Sequence, residues 1–210
     1  MNLDRISEYG EVFTNEKEVK DMLLLVENET QRIDSKFLDP ACGDGNFLKE
    51  IILQKLILLQ GINKREQLSY ERNLFLITAN TYGIELLKDN ISKCRERIFN
   101  IIFEAYSKKF KDKINPYFLS CIKFVISKNI VHGDALTNMN PSQKESIRFS
   151  EWVFITRSLV KRREFLYKEL IENSIINESP LFANLGSQSF IPTPCRDFKA
   201  IHFYELENHD

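Results

Sequence analysis

The sequence predicts an α/β fold with a mostly parallel sheet that is flanked by helices. Short apolar stretches alternate along the chain with longer stretches of helical periodicity. A glycine-bearing turn, residues 42–46, follows the first apolar stretch and leads directly into a helical pattern. Three apolar stretches end at an acid, namely Asp39, Glu85 and Asp134. Strands that alternate with helices are typical of parallel sheets, because each parallel connection needs a crossover.

The composition is that of a globular protein and excludes several other classes. Of the 210 residues, 43% are hydrophobic and 28% are charged, and the net charge is −1. A nucleic-acid partner would therefore need a local basic patch or another subunit. The four cysteines have no disulfide or zinc spacing. The most apolar stretch, residues 51–60, is too short to span a bilayer, and the N-terminus has no signal-peptide core. We expect a cytoplasmic protein with no membrane segment and no metal.

Periodicity and capping signals place the individual elements. The predicted helices cover residues 15–28, 47–61, 87–110, 115–127 and 159–172. The predicted strands cover residues 37–39, 81–85, 129–134, 150–156 and 199–206. We expect a core over residues 1–178 that begins with a helical leader. Residues 179–210 would form a loop-rich tail with a possible last strand.

The three acids and the glycine turn predict a ligand site at one edge of the sheet. Ligands of open α/β sheets bind at the carboxyl ends of the strands. A glycine turn lets the backbone approach a ligand closely. The Glu85 carboxylate can accept both hydroxyls of a ribose, and Asp134 can accept from an exocyclic amine. These are the requirements of a nucleoside-containing cofactor. The alternative is that the acids merely cap the helices that follow the strands.

Residues 37–48, FLDPACGDGNFL, strongly resemble the cofactor-binding motif of the amino-group DNA methyltransferases. The closest resemblance is to the N6-adenine enzymes of restriction–modification systems. Residues 10–14, 82–85 and 130–136 resemble three further segments of that family, in the same order. The resemblance covers about the first two thirds of the chain.

The resemblance implies a Rossmann-like, S-adenosylmethionine-dependent methyltransferase fold. It implies that Asp39 lies near the methionine amino group, that Glu85 holds the ribose hydroxyls and that Asp134 meets the adenine. The full set of cofactor-binding residues that it implies is Thr14, Asp39, Ala41, Gly43, Gly45, Phe47, Glu85 and Asp134. Valine at Gly43 or Gly45 should then block the cofactor and leave the fold largely intact.

The catalytic motif of this family is missing from the sequence. The family places Asn or Asp, two prolines and an aromatic residue after the fourth strand, and the chain has neither Asn-Pro-Pro nor Asp-Pro-Pro. The predicted fourth strand offers Thr156 as a hydrogen-bond acceptor and Trp152 as a stacking ring, although a tryptophan in an apolar strand is more often core. Residues 161–163, Lys-Arg-Arg, either contact phosphates or form a solvated helix face, and we favour the solvated face.

Three functions remain open. The first is an adenine-specific DNA methyltransferase, or the methylase subunit of a restriction–modification system, with a partner subunit or specificity domain that recognises DNA. The alternative is a catalytically impaired cofactor-binding or interaction module on the same fold. Methylation of RNA or protein on this fold is a third, weaker option.

Overall fold

The structure, a computed structural model, describes residues 14–61, 66–178 and 192–208 of the chain. The helices of these residues are α1 (Glu16–Leu24), α2 (Glu27–Thr30), α3 (Asn46–Gly61), α4 (Gln67–Ala79), α5 (Lys88–Phe110), α6 (Pro116–Asn129) and α7 (Tyr167–Glu178), with 3-10 helices at Lys111–Lys113 and Phe203–Asn208. The strands are β1 (Phe37–Asp39), β2 (Thr81–Glu85), β3 (Ile130–His132), β4 (Met139–Asn140), β5 (Glu145–Ser146), β6 (Arg148–Phe154), β7 (Leu159–Leu166), β8 (Arg196–Asp197) and β9 (Ile201–His202).

The first three strands form a parallel sheet in the order β1-β2-β3. Helices α3 and α4 connect β1 to β2, and helices α5 and α6 connect β2 to β3. The predicted α/β unit with crossover helices is therefore confirmed. Strands β1 and β2 also have the predicted bounds, while the predicted strand 129–134 is reduced to β3 and a single bridge at Asp134.

Local sequence signals explain several helix starts. Asn15 and Glu18 form a capping box at the start of α1. Asn115 accepts a hydrogen bond from Tyr117 N–H, and Pro116 occupies the first turn of α6. Helix α4 has no counterpart among the predicted elements. Eight of its thirteen residues are buried, so its apolar residues cover more than one face and give no clear amphipathic stripe.

Two hydrophobic clusters hold the described residues together. The larger cluster is built chiefly by α1, α3, α4, α5 and α6. The smaller cluster contains Tyr82 and Ile84 of β2, which face the same side of the sheet because they are two residues apart. They pack against Ile147, Phe149 and Tyr167. These residues from the second half of the chain therefore cover the sheet face on which Tyr82 and Ile84 lie.

The prediction of a fourth parallel strand at residues 150–156 is wrong. Strand β6 belongs to a separate antiparallel sheet in the order β6-β7-β8, and β9 also pairs with β7. Residues 155–158 join β6 to β7. A four-residue loop can close an antiparallel hairpin but cannot hold a crossover. Among the described residues, every strand pairing after β3 is antiparallel, so the prediction of a mostly parallel sheet is wrong for this part of the chain.

The predicted helix over residues 159–172 is also wrong in its first half, because residues Leu159–Leu166 form β7 and the helix begins at Tyr167. Alternate residues of this strand are buried, including Arg162 and Glu164, which form an ion pair. The guanidinium of Arg162 also lies 4.5 Å from the centre of the Phe198 ring. The expectation that Arg162 belongs to a solvated helix face is therefore wrong.

The predicted strand over residues 199–206 is limited to Ile201–His202 and is followed by the 3-10 helix Phe203–Asn208. Phe203 and Leu206 are both buried, and their spacing of three residues matches the 3-10 period. This helix packs on α6. The predicted loop residues 179–191 lie outside the described part of the chain.

Candidate functional site at the carboxyl edge of the parallel sheet

The structure brings three predicted site acids to one edge of the parallel sheet. Each acid lies at or just after the carboxyl end of a strand: Asp39, Glu85 and Asp134. The N–H of Cys42 donates to the carbonyl of Ile84 at 3.0 Å, and the N–H of Gly133 donates to the carbonyl of Glu85 at 2.9 Å. The segments that follow β1 and β3 therefore flank the end of β2. This is the edge at which open α/β sheets bind ligands.

The turn after β1 depends on glycine at two positions. Gly43 has φ 53° and Gly45 has φ 90°, both in the left-handed region that side chains with a Cβ rarely adopt. The N–H of Gly45 donates to the carbonyl of Cys42 at 2.8 Å, and α3 begins at the next residue. The turn is thus a tight backbone loop that opens directly into a helix N-terminus.

Gly45 also has a packing role that the sequence analysis missed. A Cβ at Gly45 would lie 2.7 Å from Cys94 Sγ and 3.4 Å from the Cα of Cys94 in α5. Cys94 itself is completely buried. The expectation that valine at Gly45 leaves the fold intact therefore does not hold, because the added atoms meet the core before they meet a ligand.

Glu85 connects the end of β2 to the glycine turn. Its side chain is mostly buried, and its carboxylate accepts hydrogen bonds from the N–H groups of Gly43 and Leu87, each at 2.8 Å. A carboxylate has about four acceptor directions, so this one retains acceptor capacity for ligand hydroxyls. The contact with Gly43 was not predicted, since no local sequence signal relates two residues that are 42 positions apart.

The surroundings of Asp39 and Cys42 give the edge an acidic character. Burial raises the pKa of Asp39, the N–H of Ala41 opposes this shift, and the negative charge of Glu85 adds to it. A hydrogen bond with Cys94 and burial raise the pKa of Cys42 far above its usual value. Cys42 is therefore a thiol packed beside the turn rather than a nucleophile. The nearby carboxylates of Asp39 and Glu85 favour a ligand that carries positive charge.

Asp134 organises the turn that follows β3. Its Oδ1 accepts from the N–H of Leu136 at 2.9 Å, and its Oδ2 accepts from the hydroxyl of Thr137 at 3.0 Å. The alternative of a helix cap does not describe Asp134, because a turn and β4, not a helix, follow β3. Each oxygen still has a further acceptor direction.

Two apolar residues at this edge were missed by the sequence analysis. Leu136 is 93% exposed and Leu86 is 40% exposed. Leu86 directly follows Glu85, and Leu136 follows Asp134 by two residues. The sequence signal for both was an apolar residue that closely follows Glu85 or Asp134 and lies beyond the end of the strand. Such side chains can cover the faces of a flat ring whose polar atoms meet the acids.

The remaining predicted cofactor-binding residues that the structure describes are Thr14, Ala41 and Phe47. Thr14 is exposed at the start of the described residues, and residues 10–13 of the same predicted motif lie outside them. Ala41 is exposed in the turn. Phe47 is half-buried and packs against the large hydrophobic cluster.

Trp152 and Thr156 do not lie at the end of a fourth parallel strand, because β6 belongs to the antiparallel sheet. Trp152 is buried, and its indole N–H donates to Asn129 Oδ1 at 3.1 Å. Asn129 directly precedes β3, so this ring lies near the amino ends of the parallel strands, opposite the acids. Thr156 is exposed in the β6–β7 loop, where its hydroxyl accepts from the N–H of Leu159 at 3.1 Å.

The other two basic residues of the 161–163 segment also have acidic partners. Lys161 pairs with Asp197 at 2.9 Å, and Arg163 pairs with Glu151 at 2.6 Å. Contact with phosphates would have to compete with these ion pairs.

An apolar cavity of about 450 Å³ lies beside the parallel sheet, and none of the three acids lines it. Its apolar lining includes Phe37, Leu38, Tyr82, Phe149, Phe165 and Leu170. The cationic residues at its wall share one carboxylate, since Lys36 and Arg163 both pair with Glu151. Neither Glu85 nor Asp134 lines this cavity.

Neither a membrane span nor a metal centre is found within residues 14–61, 66–178 and 192–208. No helix there is long and apolar enough to cross a bilayer. No group of three or more His, Cys, Asp or Glu side chains in these ranges is arranged to hold a metal ion.

Comparison of the chain with models of protein families, with curated proteins and with solved structures finds no match.

Proposed function

We propose that this chain is the S-adenosylmethionine-binding module of an adenine-specific DNA methyltransferase, or the methylase subunit of a restriction–modification system. It would act in the cytoplasm with a partner that recognises DNA. The observation that carries the proposal is the glycine turn, which Glu85 holds at the carboxyl edge of a parallel sheet. The DPACGDGNF sequence of this turn supports the choice of cofactor.

The chemistry of the edge fits this cofactor. When bound, S-adenosylmethionine supplies an electrophilic methyl group on a positively charged sulfur, and it also carries an ammonium group. Asp39 and Glu85 would favour these charges, and the remaining acceptor directions of Glu85 suit the two ribose hydroxyls. Asp134 would accept from the adenine amino group, with Leu86 and Leu136 against the ring. The left-handed glycines would keep side chains away from the methionine end.

The alternative function, a cofactor-binding or interaction module without transfer activity, is supported by the sheet topology. In the described part of the chain, β1 pairs only with β2, and β6 lies in another sheet. No residue at the acidic edge is thus placed by a fourth parallel strand to accept hydrogens from a target amine. Positioned acceptors and proton-handling groups each contribute on the order of 10²–10⁴-fold to a rate.

The purified chain alone is therefore expected to transfer methyl groups to DNA very slowly or not at all. Radiolabelled S-adenosylmethionine and unmethylated DNA provide the assay, with RNA and a protein extract as the other acceptor classes. A partner that completes the site and recognises DNA, such as a specificity subunit, should restore N6-adenine methylation.

Two outcomes would revise this proposal. Robust methylation of DNA by the chain alone would show that its catalytic residues lie elsewhere in the chain. Transfer to RNA or protein in preference to DNA would replace the substrate class.

Truncation of Leu136 provides a clean test of the ligand position. Because Leu136 is 93% exposed, Leu136→Ala should change the free energy of unfolding by less than about 0.5 kcal/mol. If adenine covers this side chain, the substitution should weaken S-adenosylmethionine binding by roughly tenfold, since burial of a leucine contributes about 1.5–3 kcal/mol.

Isothermal titration calorimetry measures this affinity. Ile57→Ala is the matched control, because Ile57 is 66% exposed and lies in α3 outside the turn. Equal affinities of Leu136→Ala and the unmodified chain would remove Leu136 from the site.

A further inference from the structure

One arginine of α5, Arg97, binds two side chains of the glycine turn. Arg97 Nη2 donates to Asp44 Oδ2 at 2.7 Å, and Arg97 Nη1 donates to Asn46 Oδ1 at 2.7 Å. Asp44 and Asn46 are the two neighbours of Gly45 in the sequence. A planar guanidinium offers these donors in a fixed geometry, so a single residue sets the relative position of both side chains.

The same helix contacts the turn at a second point. Cys94 lies against Gly45, and residues 94 and 97 face the same side of α5 because they are three positions apart. From the sheet, Glu85 accepts from the N–H of Gly43. The turn is therefore held by β2 at Gly43 and by α5 from Asp44 to Asn46.

The ion pair with Arg97 is partly shielded from water. The side chains of Arg97 and Asp44 are 33% and 19% exposed. The second oxygen of Asp44, Oδ1, is buried and has no hydrogen-bond partner among the described residues. Loss of Arg97 would leave a largely enclosed carboxylate without its cation, and such a charge favours a conformation that exposes it to water. Exposure of Asp44 would pull the turn out of its present shape.

We propose that Arg97 is a positioning residue for the cofactor site. It holds the glycine turn in the conformation that receives S-adenosylmethionine, without touching the cofactor itself. This role rests on the proposed function, since it assigns the turn to that ligand. Preorganisation of a binding loop raises affinity because less conformational freedom is lost when the ligand binds.

The test compares Arg97→Met with Lys93→Met in the full chain. Lys93 lies one turn earlier in α5 and pairs at 3.1 Å with Asp89, outside the glycine turn. Both substitutions remove a cation and keep an unbranched side chain. Arg97→Met should weaken S-adenosylmethionine binding at least tenfold in calorimetry, and Lys93→Met should not change it. Arg97→Lys keeps the charge but not the planar fork, and should give an intermediate affinity.

The affinities are compared at a temperature at which each variant is fully folded. A residue that only stabilises the fold leaves the dissociation constant of the folded protein unchanged. Hydrogen exchange of the ligand-free chain supplies the second measurement. Amides of residues 42–49 should exchange faster in Arg97→Met than in Lys93→Met, and amides of β6 and β7 should not differ.

The outcomes separate this inference from the proposed function. If the unmodified chain binds and Arg97→Met binds as tightly, the positioning role is wrong and the proposed function stands. If the unmodified chain does not bind S-adenosylmethionine, the proposed function fails, and the role of Arg97 toward this cofactor fails with it. Hydrogen exchange then decides whether Arg97 still orders the turn: faster exchange at residues 42–49 supports it, and unchanged exchange overturns it.

Discussion

Gly45→Val is expected to lower the free energy of unfolding by roughly 2–5 kcal/mol. Overpacking of a core typically costs about 1–3 kcal/mol, and a left-handed conformation costs a residue with a Cβ about 1–2 kcal/mol more. Both penalties apply here, because the first added atom would lie 2.7 Å from Cys94 Sγ and φ is 90°. Urea denaturation followed by circular dichroism measures the change.

A double-mutant cycle separates the two penalties. Gly45→Ala should be destabilising in the unmodified chain and less so in a Cys94→Ala background, where the sulfur atom is absent. The remaining loss reports the backbone conformation alone. Equal losses in both backgrounds would show that Cys94 does not limit the space at Gly45.

Glu85→Ala is expected to impair both stability and ligand binding. The substitution removes the acceptor for the N–H groups of Gly43 and Leu87. A hydrogen bond to a charged group contributes about 1.5–3 kcal/mol, and water can replace part of it, so the expected loss of stability is roughly 2–4 kcal/mol. S-adenosylmethionine affinity should fall more than tenfold, since the ribose loses its acceptor and the turn loses its anchor.

Glu85→Gln is the matched variant, because the two N–H groups bind different carboxylate oxygens and the amide keeps an acceptor at only one of these positions. It should be intermediate in stability. Glu96→Gln, an exposed neutralisation in α5, should match the unmodified chain. A Glu85→Ala variant as stable as the unmodified chain would show that the two hydrogen bonds do not hold the turn.

The sequence predicted the three strands of the parallel unit and the acids at its carboxyl edge, although it missed helix α4 and overextended β3. Strands β1 and β2 were placed without error because each is a short apolar run with an unambiguous stop, and α6 was placed by its Asn-Pro cap. The acids at the strand ends were predicted to converge because parallel strands place their carboxyl ends at one edge. The contacts of Glu85 with Gly43 and of Gly45 with Cys94 were not predictable, since they depend on distances between helices and strands.

The second half of the chain was predicted poorly for a different physical reason. Strand β7 buries Arg162 and Glu164 as an ion pair among aromatic rings, so its inward residues carry charge. Charged residues in such a stretch are typical of a solvated helix. The alternation of buried and exposed residues along β7 could therefore not be recognised from hydrophobicity. Trp152 was correctly taken as more often a core residue, but its position near the amino ends of the parallel strands followed only from the antiparallel pairing of β6.

Calorimetric titration of the full chain with S-adenosylmethionine tests the cofactor site most directly, with S-adenosylhomocysteine and NAD as comparison ligands. A cofactor site at the carboxyl edge predicts one saturable site for S-adenosylmethionine that Glu85→Ala weakens more than tenfold and Glu96→Gln leaves unchanged. It also predicts no saturable binding of NAD. Absence of S-adenosylmethionine binding by the folded chain, or binding that Glu85→Ala does not alter, would contradict a cofactor site at the carboxyl edge of this sheet.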